Sequence, residues 1–342
     1  MRICLIVDNS KPDEARKVIT INLFNYLSKN HDVFIADLKN IYSFSFWLKI
    51  KKFSPDVVHY VPGASPLSFI ICKILQCYLR RKPKIIISVL LHPFHGTLYS
   101  PYYALSYLLK WSIPLFKPDL LVVQTRDAYN TFKNYKIKLK IQILSGVDLQ
   151  LFAPVSESKK VILRQKYNID QKKSVILHVG SIRKWRSVHI LRNILIDHSF
   201  QLIIVGRPSG KFEKEIADDL TKNGCILFNQ YLQNINEIYA LSDCYVFPTT
   251  TPIGSIDIPL SILEAMATNL PIISTEFGGL PEIFDEGIGF QFIKSLDEID
   301  LKLKDLQKFG FNAKTRNMIM NFSWSEIGRE IEKIYEDVIL SP

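Results

Sequence analysis

Short runs dominated by Ile and Val recur along the chain with helical patterns between them, and this alternation restricts the fold more than any other feature. The first series is RICLIV, DVFIADL, PDVVHYV, KIIISVLL, DLLVVQT and IQILSGV, with helical patterns over 14–29 and 66–80. The second is SVILHVG, FQLIIVG, CILFN, CYVFP and LPIISTE, each followed by a helix-like segment. Strands that are apolar throughout, rather than on alternate residues, are buried on both faces, as in βαβ units and parallel sheets. The pattern predicts an α/β chain. With 342 residues and roughly 150 per domain, two Rossmann-like domains are expected, binding ligands beyond the carboxyl ends of their strands. The polar stretch DLQLFAPVSESKK, containing Pro154, marks the join and gives domains at 1–155 and 156–322. Within 323–340, Trp324, Ile327, Ile331, Ile334, Tyr335, Val338 and Ile339 recur at helical spacing.

Composition removes several classes. A chain that is 47% hydrophobic and 22% charged is neither disordered, collagen-like nor a coiled coil. Its five cysteines, Cys4, Cys72, Cys77, Cys225 and Cys244, show neither zinc spacing nor a disulfide framework, which suits a reducing cytosol. The opening MRICLIVDNS has one basic residue and a strand-like run, without the apolar core and cleavage site of a signal peptide. No stretch reaches the uninterrupted apolar length of about 18 residues that a membrane-spanning helix needs. A soluble, cytoplasmic protein is expected.

Charge is unevenly spread. Residues 1–150 hold 21 Lys and Arg against 9 Asp and Glu, whereas residues 151–342 hold 22 against 24. The asymmetry is a deficit of acids in the first half, and it gives that domain a positive field. Segments 41–53 (IYSFSFWLKIKKF) and 97–117 (TLYSPYYALSYLLKWSIPLFK) interleave aromatics with lysines. Such segments suit an anionic membrane interface. Single-stranded nucleic acid uses similar chemistry, but no nucleic-acid motif accompanies them, and nucleic acid is not the expected partner.

The densest chemistry lies in GSIDIPLSILEAMATNLPIISTEFGGLPEIFDEGIGF, residues 254–290. A helix opening at Leu260 and Ser261, just after a strand-end loop, presents free backbone N–H groups and a positive dipole end to an anion. Glu264, in its first two turns, is placed to accept hydrogen bonds from hydroxyls such as the adjacent pair of a ribose. Asp257 has two readings, a carboxylate facing a bound ligand or an N-cap of the helix.

The stretch LEAMATNLPIISTEFGGLPEIF resembles the signature of the retaining glycosyltransferases of family 4, in the glycosyl transferases group 1. There, an acid is followed by seven residues, Glu-Ala-Met-Ala, an apolar strand and Gly-Gly-x-Pro-Glu. LSGVDLQLFAP resembles the family's interdomain segment, with Ser145 for an Asn, and KPDLLVVQT resembles the strand before it. The resemblance implies a GT-B fold, with two Rossmann-like domains facing each other across a cleft and the 323–340 helix packing back on the first. Glu264 falls in the second acidic position. The first acidic position, which in the family contacts the transferred sugar, is Ile256 here, and the nearest carboxylate is Asp257.

A second departure lies in HVGSIRKWRSVHIL. The family's Gly-Arg-(four residues)-Lys-Gly falls with Ser181 at the Arg position, Arg186 at the Lys position and Ser187 at the final Gly. Those cations clamp the diphosphate leaving group. The resemblance therefore gives that role to Arg186, with Arg183 as the replacement for the missing Arg, beside Ser181, Leu260, Ser261 and Glu264. In the first domain, LLHPFHG puts His92 at a strand's carboxyl end, where the family has a His reaching the donor sugar; His59 is a second strand-end candidate. The segment VDNSKPDEARK lacks the Gly-Gly turn of many relatives.

The expectation is thus a retaining transferase moving a sugar from a nucleoside diphosphate sugar to a hydroxyl of a lipid-linked or saccharide acceptor. No metal and no cofactor beyond the donor are expected, since no Asp-x-Asp with a plausible metal site appears. The basic first domain would lie on the inner face of the cell membrane, in surface polysaccharide, lipopolysaccharide or glycolipid assembly. A nucleotide-sugar 2-epimerase and a non-catalytic partner subunit of the same layout are the rival expectations.

Overall fold

A computed structural model describes residues 1–8, 14–91, 108, 113–208 and 210–341. The chain forms two compact units. The first comprises Met1–Gly146, Ile256–Ile258 and Trp324–Pro342, and the second Val147–Ser255 and Pro259–Ser323.

Among the described residues, the first unit is built on six strands: β1 (Arg2–Val7), β2 (Asp32–Asp37), β3 (Val57–Tyr60), β4 (Lys84–Val89), β5 (Leu120–Val123) and β6 (Leu139–Ile141). They lie in the order β2-β1-β3-β4-β5-β6, every pair parallel. Successive side chains point to opposite faces, and both faces are covered, which is why the central strands read as unbroken Ile and Val. On one face, Cys4, Ile6, Val58, Ile85, Ile87 and Leu121 pack against three helices. These are α2 (Phe44–Phe53), α3 (Pro66–Tyr78) and α4 (Arg126–Phe132). A capping box between Ser65 and Ser68, with Pro66 in the first turn, starts α3.

The other face carries α1 (Glu14–Leu27) and α11 (Trp324–Leu340), which pack on each other. Here β3 and β4 expose a polar pair to the interior. The two His59 ring nitrogens lie 2.6 Å from the Tyr335 hydroxyl and 2.6 Å from the Ser88 hydroxyl, and all three residues are buried. A neutral imidazole has one donor and one acceptor nitrogen, so this chain satisfies His59 completely. Burial pulls the His59 pKa down to about 3, and the ring is neutral at physiological pH. Helix α11 is fastened further by Glu332, which receives the Tyr26 hydroxyl at 3.3 Å and His31 at 2.6 Å. Lys84 adds a hydrogen bond to the Ser341 carbonyl at 2.7 Å.

The second unit repeats the design with β7 (Ser174–Val179), β8 (Phe200–Val205), β9 (Ile226–Phe228), β10 (Cys244–Phe247), β11 (Ile272–Thr275) and β12 (Phe290–Ile293). Their order is β12-β11-β10-β7-β8-β9, again parallel. Its helices are α5 (Glu157–Lys166), α6 (Lys211–Lys222), α7 (Ile235–Leu241), α8 (Leu260–Ala267), α9 (Leu280–Ile283) and α10 (Ile299–Lys308). The crossover after β7 is a 3-10 stretch over Val188–Ile196, which buries Val188, Leu191 and Ile194 against the sheet. Two six-stranded parallel sheets with flanking helices make this the double Rossmann-like α/β architecture that the apolar runs predict. No helix among the described residues is long and apolar enough to cross a membrane.

Candidate functional site

In the second unit the expected site residues gather at the carboxyl end of β7. Beyond that strand, the Gly180 N–H donates to the Val205 carbonyl at 2.9 Å and the Ile182 N–H to the Arg207 carbonyl at 3.0 Å. These bonds hold Ser181, half-buried, against the end of the neighbouring strand. A 3-10 turn over Lys184–Arg186 follows. Its exit residue, Ser187, has φ 55°, the left-handed conformation that a glycine adopts without strain. That explains physically why the resembling pattern ends in Gly.

The three cations of the turn diverge. Arg186 is half-buried, and its Nε donates to the Gly254 carbonyl at 2.7 Å. Its Nη1 lies so close to Gly180 that a Cβ there would sit 2.3 Å away. The guanidinium is thus lodged between the end of β7 and the turn at Pro252–Gly254. Arg183 lies with its guanidinium 5.6 Å from the Trp185 ring centre, and its Nε is buried without a hydrogen-bond partner. Lys184 turns to the Phe212 ring, 5.6 Å from its centre. Arg186 is positioned by the fold, Arg183 by one aromatic ring, and Lys184 points to α6.

Helix α8 opens at the same strand end. Its N-cap residue is Pro259, with no side-chain cap hydrogen bond, so Asp257 does not cap it. Leu260 is buried and anchors the first turn, and Ser261 is half-buried. The Tyr245 hydroxyl lies 2.7 Å from the Ser261 hydroxyl and 3.2 Å from the Val179 carbonyl. One phenolic proton serves one acceptor. Donating to Val179, the tyrosine accepts from Ser261, and the first turn of α8 is tied to the end of β7. One helical turn on, Glu264 accepts the Tyr239 hydroxyl at 2.7 Å. Tyr239 and Tyr245 stack with ring centres 6.1 Å apart, and burial raises both hydroxyl pKa values. Both phenols therefore stay protonated and act as fixed donors.

His178 completes the floor. Its Nδ1 donates to the Val246 carbonyl at 2.9 Å, and its ring lies between Tyr245 and Phe247. Burial lowers its pKa to about 4, and the charge of Arg186 acts in the same direction. Sequence reading missed His178, Tyr239, Tyr245 and Gly254. Within a strand of buried residues such as CYVF, nothing distinguishes a tyrosine whose hydroxyl reaches a helix from one that fills space.

Asp257 belongs to the first unit by its contacts. It is buried, and its N–H donates to the Leu90 carbonyl at 2.9 Å. That carbonyl, just past β4, also receives the Gln124 side-chain amide at 3.2 Å. Beside Asp257, the Ile258 carbonyl accepts the Ser145 hydroxyl at 2.7 Å. Ser145, which stands where the resembling family has Asn, thereby holds the 256–258 segment. His92 lies outside the described residues, as do His95 and most of segment 97–117. Among the described residues, no three His, Cys, Asp or Glu side chains cluster to hold a metal ion.

These units and this strand-end site define a GT-B chain, a double Rossmann-like protein with its polar residues where an anion would sit. Residues 173–302 match the model of the family described as glycosyl transferases group 1. Apart from residues 256–258, the match lies within the second unit, and the family 4 resemblance of the 254–290 stretch falls inside it. Over 249 residues it is 27% identical to the sulfoquinovosyl transferase SQD2 of Arabidopsis thaliana, covering 70% of this chain and 46% of that one. Over 210 residues it is 26% identical to a GDP-mannose-dependent monoacylated alpha-(1-6)-phosphatidylinositol monomannoside mannosyltransferase of Corynebacterium glutamicum, covering 56% and 55%. The chain thus spans about half the length of these curated relatives. Among solved structures, it resembles Anabaena HepE in complex with UDP, at TM-score 0.76 and 16% identity over 98% of this chain and 100% of that one.

Proposed function

We propose that the protein is a retaining glycosyltransferase that moves a sugar from a nucleoside diphosphate sugar to a hydroxyl of a lipid-linked or saccharide acceptor. The observation that carries this reading is the lodging of Arg186, with Nε on the Gly254 carbonyl at 2.7 Å and Nη1 against Gly180. A cation so held, beside the opening of α8, suits the developing charge of a departing diphosphate. Preorganised donors aimed at such charge are among the largest contributions to catalysis. Arg183 supplies a second guanidinium, and the Leu260 and Ser261 N–H groups add backbone donors at the positive end of the helix.

Glu264, oriented by Tyr239, takes the ribose hydroxyls. Asp257 and His92 are assigned to the transferred sugar. The anomeric carbon–phosphate oxygen bond breaks as the acceptor oxygen bonds to the same face of that carbon. The acceptor proton passes to the departing phosphate, which leaves as nucleoside diphosphate. No step is assigned to a metal. The complex of HepE with UDP and the nucleotide named for the corynebacterial relative support a nucleotide-sugar donor. The lipid acceptor named for that relative supports a lipid-linked one. The proposed setting is surface polysaccharide, lipopolysaccharide or glycolipid assembly on the inner, anionic face of the cell membrane.

A melting-temperature panel of UDP-, GDP- and ADP-sugars tests the donor assignment. A donor at 100 times its dissociation constant stabilises the fold by about 2.7 kcal/mol. A shift with one base, followed by transfer with retention of anomeric configuration, is the expected result. No shift with any of them overturns the reading in favour of a non-catalytic partner, and conversion of donor alone to a sugar isomer marks an epimerase.

A further inference from the structure

Helix α3 is apolar on two sides, and among the described residues only one of them is packed against the core. Phe69, Cys72 and Leu75 face the sheet and are buried. Leu67, Ile70 and Ile74 form a second stripe at spacings of three and four, and they are 55%, 39% and 46% exposed. A helix that is hydrophobic all round belongs in a fully buried setting.

The stripe continues onto α2. Lys51 Nζ sits 4.9 Å over the Tyr78 ring, and Trp47 meets the same ring edge-on at 6.2 Å. Helix α2 then presents Phe44 and Leu48 outward, one turn apart. Between the α3 stripe and Phe116 runs a groove of about 510 Å³ with Lys73 in its lining. Lys49, Lys52, Arg80, Arg81 and Lys82 are exposed around these helices. Between Asp37 and Asp119 the sequence holds a single acid, Asp56, against eleven Lys and Arg. The Asp56 carboxylate is engaged by the Arg2 N–H at 2.8 Å.

We propose that the outer face of α2 and α3 is a docking surface for an anionic lipid bilayer, with the Leu67–Ile70–Ile74 stripe at the acyl boundary and the lysines at headgroup level. Charge complementarity selects this occupant. A second copy of the chain would bring the same acid-free surface against itself, and like charges repel. The α3 stripe is aliphatic, and rings on which bases could stack lie only at its margin, at Phe44, Tyr78 and Phe116. Helix α2, with Lys49, Lys51 and Lys52 beside its outward Phe44 and Leu48, matches the interfacial geometry of membrane-surface helices. The inference deepens the lipid-acceptor reading and rests on it only for what the bilayer delivers.

Cosedimentation of the full chain with phosphatidylcholine vesicles, with and without phosphatidylglycerol, tests the proposal. Binding only when phosphatidylglycerol is present is expected. Lys52→Ala and Lys73→Ala should each weaken it about fivefold, and Ile70→Ser with Ile74→Ser by about tenfold or more. Should the Ile pair fail to fold, Phe44→Ser with Leu48→Ser on α2 reads the same surface. Equal binding to both vesicles, or variants that bind as the parent does, overturns the proposal. So does a dimer in gel filtration that the Ile pair dissociates, or retention on single-stranded DNA that the Ile pair abolishes. The donor-induced melting shift, measured on the same preparations, separates the two readings. Lost vesicle binding with an intact shift leaves the donor assignment standing, and the reverse leaves the docking surface standing.

Discussion

The hydroxyl of Tyr239, on α7, donates to Oε2 of Glu264, on α8, across 2.7 Å. The phenol is wholly buried, whereas the carboxylate is half-exposed, so a core residue orients a group that faces solvent. In Tyr239→Phe the carboxylate regains water but loses its fixed direction. A hydrogen bond to a charged group is worth about 1.5–3 kcal/mol, and solvent access to Glu264 lowers the expected cost to the bottom of that range. Donor affinity should fall, though by less than in Glu264→Ala. Urea unfolding and donor-induced melting shifts measure the two effects, and an unchanged donor affinity would show that Glu264 needs no such support.

Arg186→Ala should lower turnover roughly a hundred- to thousandfold. Its effect on folding should stay near 1 kcal/mol, the loss of one hydrogen bond to the Gly254 carbonyl. Arg186→Lys should recover little, because a single ammonium cannot hold that carbonyl and present a planar fork to a diphosphate. Initial rates and melting curves on the same samples decide the point. Parallel losses of activity and stability would mark Arg186 as structural.

Stability should fall with acid from about pH 6.5 downward. Burial holds His59 at about 3 and His178 at about 4, against an ordinary 6.5. Above pH 6.5 both rings are neutral whether folded or not, and they contribute no slope. Below it the unfolded chain takes up protons that the folded chain refuses. Each ring then costs up to about 1.4 kcal/mol per pH unit until its folded value is reached. Urea unfolding between pH 6.5 and 5 should show this slope, and His178→Gln should reduce it by the share of one ring. An unaltered slope in the variant would contradict the assignment.

Gly328→Ala should destabilise the first unit. A Cβ on Gly328 would stand 2.3 Å from Cγ of Tyr26, and a ring packed between two helices has little room to retreat. Overpacking of this kind costs about 1–3 kcal/mol. The double variant Tyr26→Ala/Gly328→Ala should be less destabilised than the sum of its parts, since removing the Tyr26 ring removes the clash that the new Cβ makes. Additive losses in urea unfolding would argue against a direct clash.

The strands were legible because a doubly covered sheet demands unbroken apolar runs, and KIIISV or FQLIIV can hardly serve another purpose. Strand order was not. It places β7 beside β10, and only that adjacency brings the Tyr245 hydroxyl to the Val179 carbonyl and to Ser261. Asp257 shows the same limit. Its neighbours in sequence allow an N-cap, but its N–H bonds to Leu90 from a distant strand, and Pro259 takes the cap position. Ser187 is an intermediate case. Its mismatch to the resembling Gly was visible in the sequence, while its left-handed backbone, which keeps the turn intact, was not.

The fastening of α11 has a consequence for biosynthesis. Tyr335 reaches His59, and Glu332 reaches Tyr26 and His31; these partners are translated before the second sheet, and α11 after it. On the ribosome, the later-encoded sheet is therefore complete while the earlier one still has a bare apolar flank. That flank closes only when α11 emerges.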